Sequence, residues 1–176
     1  NVAIPSLIID LGATNSQIQW IVDSYVLVFA GLLLTTGSLS DRYGRKGALQ
    51  LGIVVFGIGS AAAAMSTTAN GLILTRAFMG IGGALIMPAT LSILTNVFRD
   101  PRERGRAIAI WAGFSGLAVA LGPITGGLLL EHFSWQSVFW VNIPIGAIAL
   151  VLGAVLIPTS RDPEQGRIDP LGAVLS

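Results

Sequence analysis

Cysteine is absent from the chain, and histidine occurs once, as His132. The first absence excludes disulfides, thiolate metal sites and a cysteine nucleophile. The second leaves no histidine-based metal centre, because one imidazole cannot complete a coordination shell. Charge is scarce as well: 11% of the 176 residues are Asp, Glu, Lys or Arg, where a soluble domain carries about a quarter. Ten basic against nine acidic residues leave a net charge of +1, so no global field recruits nucleic acid. What is plentiful is apolar side chain, 53% of the residues, and glycine, with 22. The expected surrounding is a lipid bilayer, not water.

Apolar stretches run over residues 18–39, 47–66, 71–97, 107–130 and 138–157. At about 1.5 Å per residue, each is long enough for a helix across a hydrocarbon core of about 30 Å. Buried helices of a large soluble protein are the competing reading, but five such runs in succession with almost no internal charge argue against it. Residues 1–9 read as the end of a truncated helix, and residues 158–176 as a loop followed by the start of another. The expected fold is therefore all-α, a polytopic bundle of transmembrane helices.

Alternating the loops between the two sides gathers Arg42, Arg45, Lys46, Arg99, Arg102, Arg104, Arg106, Arg161 and Arg167 on one face. The opposite loops hold Asp10, Glu131 and His132 and no Lys or Arg. The positive-inside rule makes the basic face cytoplasmic. Trp20 and Trp135 then fall near the outer ends of their spans, where an indole buries its ring and keeps its N–H wet. Glycines inside the spans, among them Gly57, Gly80, Gly82, Gly83 and Gly113, suit close helix packing in lipid.

Three segments carry more than topology. Gly37-Ser-Leu-Ser-Asp41-Arg42-Tyr-Gly44-Arg45-Lys46 closes the second helix with a small residue, an acid, bases and a turn glycine. Gly37 allows a close crossing, Asp41 can accept from a helix N-terminus or pair with an arginine, and Gly44 permits a tight reversal. The segment resembles the loop between helices 2 and 3 of the major facilitator superfamily, which implies a gate latch; a basic cluster that merely anchors topology is the plain alternative. Gly122-Pro123-Ile-Thr-Gly126-Gly127 lies in the fifth span, where a proline removes a donor and collides with the carbonyl a turn earlier, near Val119. It is similar to the helix-5 motif of the superfamily's antiporters, with Ala118 where that pattern usually has glycine, and implies export in exchange for protons; a packing kink is the alternative.

The third segment, Leu74-Thr-Arg76-Ala-Phe-Met-Gly80-Ile-Gly82-Gly83, puts an arginine inside the fourth span and resembles the helix-4 motif of the same exporters. An arginine at mid-helix costs about 2.5–3.5 kcal/mol on insertion scales, so it faces protein or water and seeks an anion. Asp23 is the only carboxylate within the five complete spans, and both residues lie about 8 Å in from the outer turns. The expectation is that Asp23 and Arg76 face each other in a central cavity and that Asp23 titrates during transport. In the competing view Asp23 is simply hydrated and Arg76 pairs with a carboxylate on the missing part of helix 1.

The start, Asn1-Val-Ala-Ile-Pro5, the segment Trp135 to Gly146 and Asp169-Pro170-Leu-Gly172 extend the likeness along the whole chain to the 14-helix drug:proton antiporter family. Gln136 stands where that family commonly has an arginine. The resemblance implies the amino-terminal six-helix half of a multi-pass transporter in a bacterial plasma membrane, partnered by a carboxy-terminal half of the same chain. It implies protons and amphipathic or cationic drugs as cargo, contacted by residues such as Tyr25, Phe29, Phe78, Met79 and Met87. No cofactor, metal or nucleic acid is expected. The spans lack a metal cluster or a nucleophile paired with histidine, so an enzyme is not expected either. A permease for a metabolite, lipid precursor or siderophore is the alternative within transport, and a membrane receptor or regulatory protein the alternative outside it.

Overall fold

The computed structural model describes residues 3–157 and consists there of helices joined by short turns. They are α1 (Ile4–Leu11), α2 (Asn15–Tyr43), α3 (Arg45–Ala64), α4 (Ala69–Val97), α5 (Pro101–His132), α6 (Ser137–Trp140) and α7 (Asn142–Leu156). Five helical stretches, residues 15–40, 45–64, 69–97, 101–132 and 137–156, are long and apolar enough to cross a membrane. Residues 158–176, with Arg161, Arg167 and Asp169, lie outside the described residues.

Local chemistry sets the helix starts. Thr14 accepts from the backbone N–H of Gln17, and the Gln17 side chain accepts from the N–H of Thr14, so two orphan donors of α2 are satisfied reciprocally. Thr68 caps α4 through the Gly71 N–H at 3.1 Å. Asp100 caps α5 through the N–H groups of Arg102 and Glu103, with Pro101 at the first helical position. These caps lie ahead of the apolar runs, so α2, α4 and α5 all begin earlier than hydropathy alone suggests.

Within the stretch expected as one helix over 138–157, α6 and α7 are separated at Val141 by a break in the hydrogen-bond ladder and not in the path of the helix, since Val141 keeps φ −60° and ψ −26° and bonds back to the Ser137 carbonyl. Pro144 has no N–H to give to the carbonyl of Trp140, which removes one rung of the ladder. The break is braced from α3: the buried Ser60 donates to the Phe139 carbonyl at 2.9 Å and accepts from Asn142 Nδ2 at 2.9 Å.

The packing centre is α4, which is flanked extensively by α2 and α3. Small residues make both approaches possible. A Cβ on Gly82 would come within 2.6 Å of the Phe56 nitrogen on α3, and one on Gly80 within 2.8 Å of the Tyr25 carbonyl on α2. Hydrogen bonds tie the same helices, with Ser24 Oγ donating to the Ile73 carbonyl at 3.1 Å and Thr36 Oγ1 to the Ala84 carbonyl at 2.7 Å. Leu7, Ile21, Ala63, Leu72, Met79 and Trp135 form a buried cluster. Trp135 corrects the interfacial expectation: it is 1% exposed and its Nε1 has no partner, so it is a core residue and its N–H is not wet. Trp20, by contrast, is exposed. α5 meets α4 and α6 more lightly and has no buried residue along its length.

Candidate functional site

Arg76 sits inside α4 at the contact with α2. Arg76, Gly80 and Gly83 recur at helical spacing and share one face, opposite Ile21, Tyr25 and Phe29 on α2. The half-buried guanidinium donates through Nε to the Ile21 carbonyl at 3.0 Å, and its central carbon lies 4.4 Å from the centroid of the Tyr25 ring. Tyr25 in turn stacks on Phe29, with centroids 6.0 Å apart and an interplanar angle of 15°. The cation is thus held by one main-chain dipole and by an aromatic face, both of which attract positive charge.

The expected face-to-face pair of Arg76 with Asp23 is not formed. Residues 21 and 25 point at α4; at about 100° per residue, position 23 lies on the far side of α2 from both. Asp23 is half-buried there, and no ion pair joins it to Arg76. The two residues do lie at one level along the bundle, because Arg76 reaches the turn that contains Asp23.

The segment after α2 is described in part. Gly37 passes α4, where an added Cβ would meet Pro88 at an ordinary 3.6 Å. Gly44 links α2 directly to α3 with φ 118°, a conformation that favours glycine; its N–H bonds the Ser40 carbonyl, and its own carbonyl accepts from Ala48. Arg45 opens α3, and Lys46 Nζ reaches across to donate to the Ala154 carbonyl on α7 at 2.7 Å. The side chains of Asp41 and Arg42 lie outside what the structure describes. In the other basic loop, Arg104 is half-buried and donates to the carbonyls of Phe98 and Arg99, closing the end of α4, whereas Arg99, Arg102 and Arg106 are exposed.

Gly122, Pro123, Gly126 and Gly127 lie within the uninterrupted α5. A Cβ on any of these three glycines, or on Gly113 or Gly116, would meet nothing within 4 Å. Among the described residues, no neighbour packs against this face. Of the expected cargo contacts, Met79 is withdrawn into the core at 1% exposure, while Phe78 and Met87 are exposed. An apolar groove of about 440 Å³ lies between α3, α4 and α7, with Leu49, Phe56, Ile86 and Leu152 among its walls; neither Arg76 nor Tyr25 borders it. No cluster of metal-ligating side chains occurs among the described residues.

Comparison with known sequences places this arrangement in context. The profile of the Major Facilitator Superfamily matches residues 1–172. The multidrug efflux pump LfrA of Mycolicibacterium smegmatis is 48% identical over 174 residues, covering 99% of this chain and 34% of LfrA. The methyl viologen resistance protein SmvA of Salmonella typhimurium is 45% identical over 169 residues, covering 96% of this chain and 33% of SmvA. The riboflavin transporter RibZ of Clostridioides difficile is 39% identical over 167 residues, covering 95% of this chain and 36% of RibZ. The chain spans about a third of the length of these relatives.

Proposed function

The chain belongs to the major facilitator superfamily of membrane transporters, and on that premise we propose that it is part of a proton-coupled antiporter exporting drugs or other amphipathic small molecules. The reading rests first on Arg76. A half-buried arginine within an apolar helix, with no carboxylate paired to it among the described residues, is a costly feature that stability alone does not call for. It presents a fixed positive charge whose terminal amino groups are left for an anion. A carboxylate that binds and releases a proton at this level would change the local field at each half-cycle, which links protonation to the opening of one side or the other.

Asp23 is the proposed proton carrier within this chain. It is the only carboxylate of the described helices that lies more than two turns from a helix end. Since it stands across α2 from Arg76, its charge acts through the helix and not through a direct pair. The segment Gly37 to Lys46 serves in this proposal as the gate element on the cytoplasmic side, and the bare glycine face of α5 around Pro123 as a surface for another part of the transporter. The names of LfrA and SmvA support drug export; that of RibZ supports the second reading, a permease for a metabolite.

The test is transport by the full-length protein in everted membrane vesicles. Uptake of methyl viologen that requires an imposed proton gradient and stops when a protonophore collapses it is the expected result. Uptake indifferent to the protonophore removes the antiport reading. Uptake of riboflavin but of no cationic drug favours the permease.

A further inference from the structure

We infer that Tyr25 is the positioning residue for Arg76: its ring holds the guanidinium, and Gly83 leaves the space in which that ring sits. The inference rests on the reading of Arg76 as the coupling cation and adds how that cation is aimed. An arginine side chain is long and rotamer-rich, so a single hydrogen bond from Nε to the Ile21 carbonyl fixes a hinge point without fixing the plane of the head. The Tyr25 ring, 4.4 Å from the guanidinium carbon, supplies the second constraint. Stacking against Phe29 at 15° stops the ring from turning away.

Across the interface, the small residues of α4 are placed to admit this ring. A Cβ on Gly83 would lie 2.9 Å from the Tyr25 hydroxyl oxygen, 3.2 Å from Phe29 Cδ2 and 3.5 Å from Tyr25 Cζ. The hydroxyl is therefore the atom that an alanine at 83 would strike first. Arg76, Gly80 and Gly83 occupy one face of α4, against the face of α2 that carries Ile21, Tyr25 and Phe29. Asp23 stands on the other side of α2, and Ser24, which bonds the Ile73 carbonyl, carries no charge. Among the described residues, the partners of the arginine head are thus the Ile21 carbonyl and the Tyr25 ring.

The geometry makes a rescue experiment possible in the full-length transporter. Two quantities are measured: the rate at which phenylglyoxal modifies Arg76, followed by peptide mass, and the turnover and KM of proton-driven methyl viologen transport in proteoliposomes. Tyr25→Leu is expected to speed the modification about fivefold and to lower turnover by a similar factor, with KM within about twofold. Tyr25→Phe keeps the ring, so it stays close to the native modification rate and retains most of the turnover that Tyr25→Leu loses. Gly83→Ala is expected to behave like Tyr25→Leu, and the double variant Tyr25→Phe with Gly83→Ala to recover in large part, because the clashing oxygen is gone and only the 3.2 Å approach to Phe29 remains.

Native modification in Tyr25→Leu, or equal damage from Tyr25→Phe and Tyr25→Leu, overturns the inference. Failure of the double variant to recover also counts against it. If Tyr25→Leu does not insert into the membrane, the Gly83→Ala and double variants carry the test. Should the unmutated protein exchange no protons for drug while Arg76 modification follows the expected order, the transport reading falls and the positioning role stands.

Discussion

Lys46, in the first turn of α3, donates its ammonium to the carbonyl of Ala154 near the end of α7 at 2.7 Å, joining two helices 108 positions apart. A helix C-terminus carries unsatisfied carbonyls and partial negative charge, so a cation there is favourable. The motif residue thus has a structural task within this chain, in addition to any part in a gate. Lys46→Met keeps the aliphatic stem and removes the donor. It should lower stability by about 0.5–1.5 kcal/mol, read from thermal unfolding in detergent. Lys46→Arg should recover most of the loss.

Two neighbouring glycines should respond oppositely to alanine. Gly44 has φ 118°, and a side chain there is strained whatever the space around it. Gly44→Ala should cost about 1–3 kcal/mol. Gly47 is helical, and nothing lies within 4 Å of an added Cβ, so Gly47→Ala should be neutral or stabilising by about 0.5–1 kcal/mol. Parallel unfolding curves of the two variants decide the matter; equal losses would refute the contrast.

Ser60 is fully buried and serves two partners at the α6–α7 break, the Phe139 carbonyl and Asn142 Nδ2. Ser60→Ala should therefore cost about 0.5–1.5 kcal/mol, because it removes hydrogen bonds to two half-buried partners. Asn142→Leu, which removes one of those partners along with the bond, should cost less. Thermal unfolding of the two variants side by side tests the order.

Arg76→Lys keeps the charge but cannot present a planar head to both the Ile21 carbonyl and the Tyr25 ring. Turnover in the vesicle assay should fall by about tenfold or more, the range expected when an oriented charged contact is lost. Drug binding to the outward-open protein should change far less. Native turnover in Arg76→Lys would mean that charge alone suffices.

Asp23→Asn should abolish the dependence of methyl viologen transport on the proton gradient while leaving gradient-independent equilibration intact. Proton-coupled export unchanged in this variant, measured as drug-driven alkalinisation of the vesicle lumen, would remove Asp23 from the coupling role.

Hydropathy and the basic loops exposed the all-α, multi-span character of the chain, because apolar length and charge position are one-dimensional properties. Depth was legible for the same reason: Arg76 meets α2 at the level of Asp23. The rotation of each helix was not. A carboxylate and an arginine at one height invite pairing, yet whether they face each other depends on which stripe of α2 meets α4, and that is set by where the small residues lie. The run Gly80, Gly82 and Gly83 held that information, since an arginine four residues before Gly80 must share its face. Trp135 misled for a related reason: an indole near a span end reads as interfacial until the turn before α6 folds it inward. The interruption at Val141 was readable from Pro144, but the apolar run passes through it without a change of composition. Nothing in the sequence marks Ser60 as its brace, because that bond spans 79 positions.

The position of α4 between α2 and α3 has a mechanical consequence. Three helices meet closely at the α4 glycines, and hydrogen bonds to carbonyls tie α2 to α4, so they are expected to behave as one cooperative block. α5, which buries no residue among those described, is outside that block. Amide exchange should therefore be slowest in the middle of α4 and faster along α5, beyond the capped turn at Asp100.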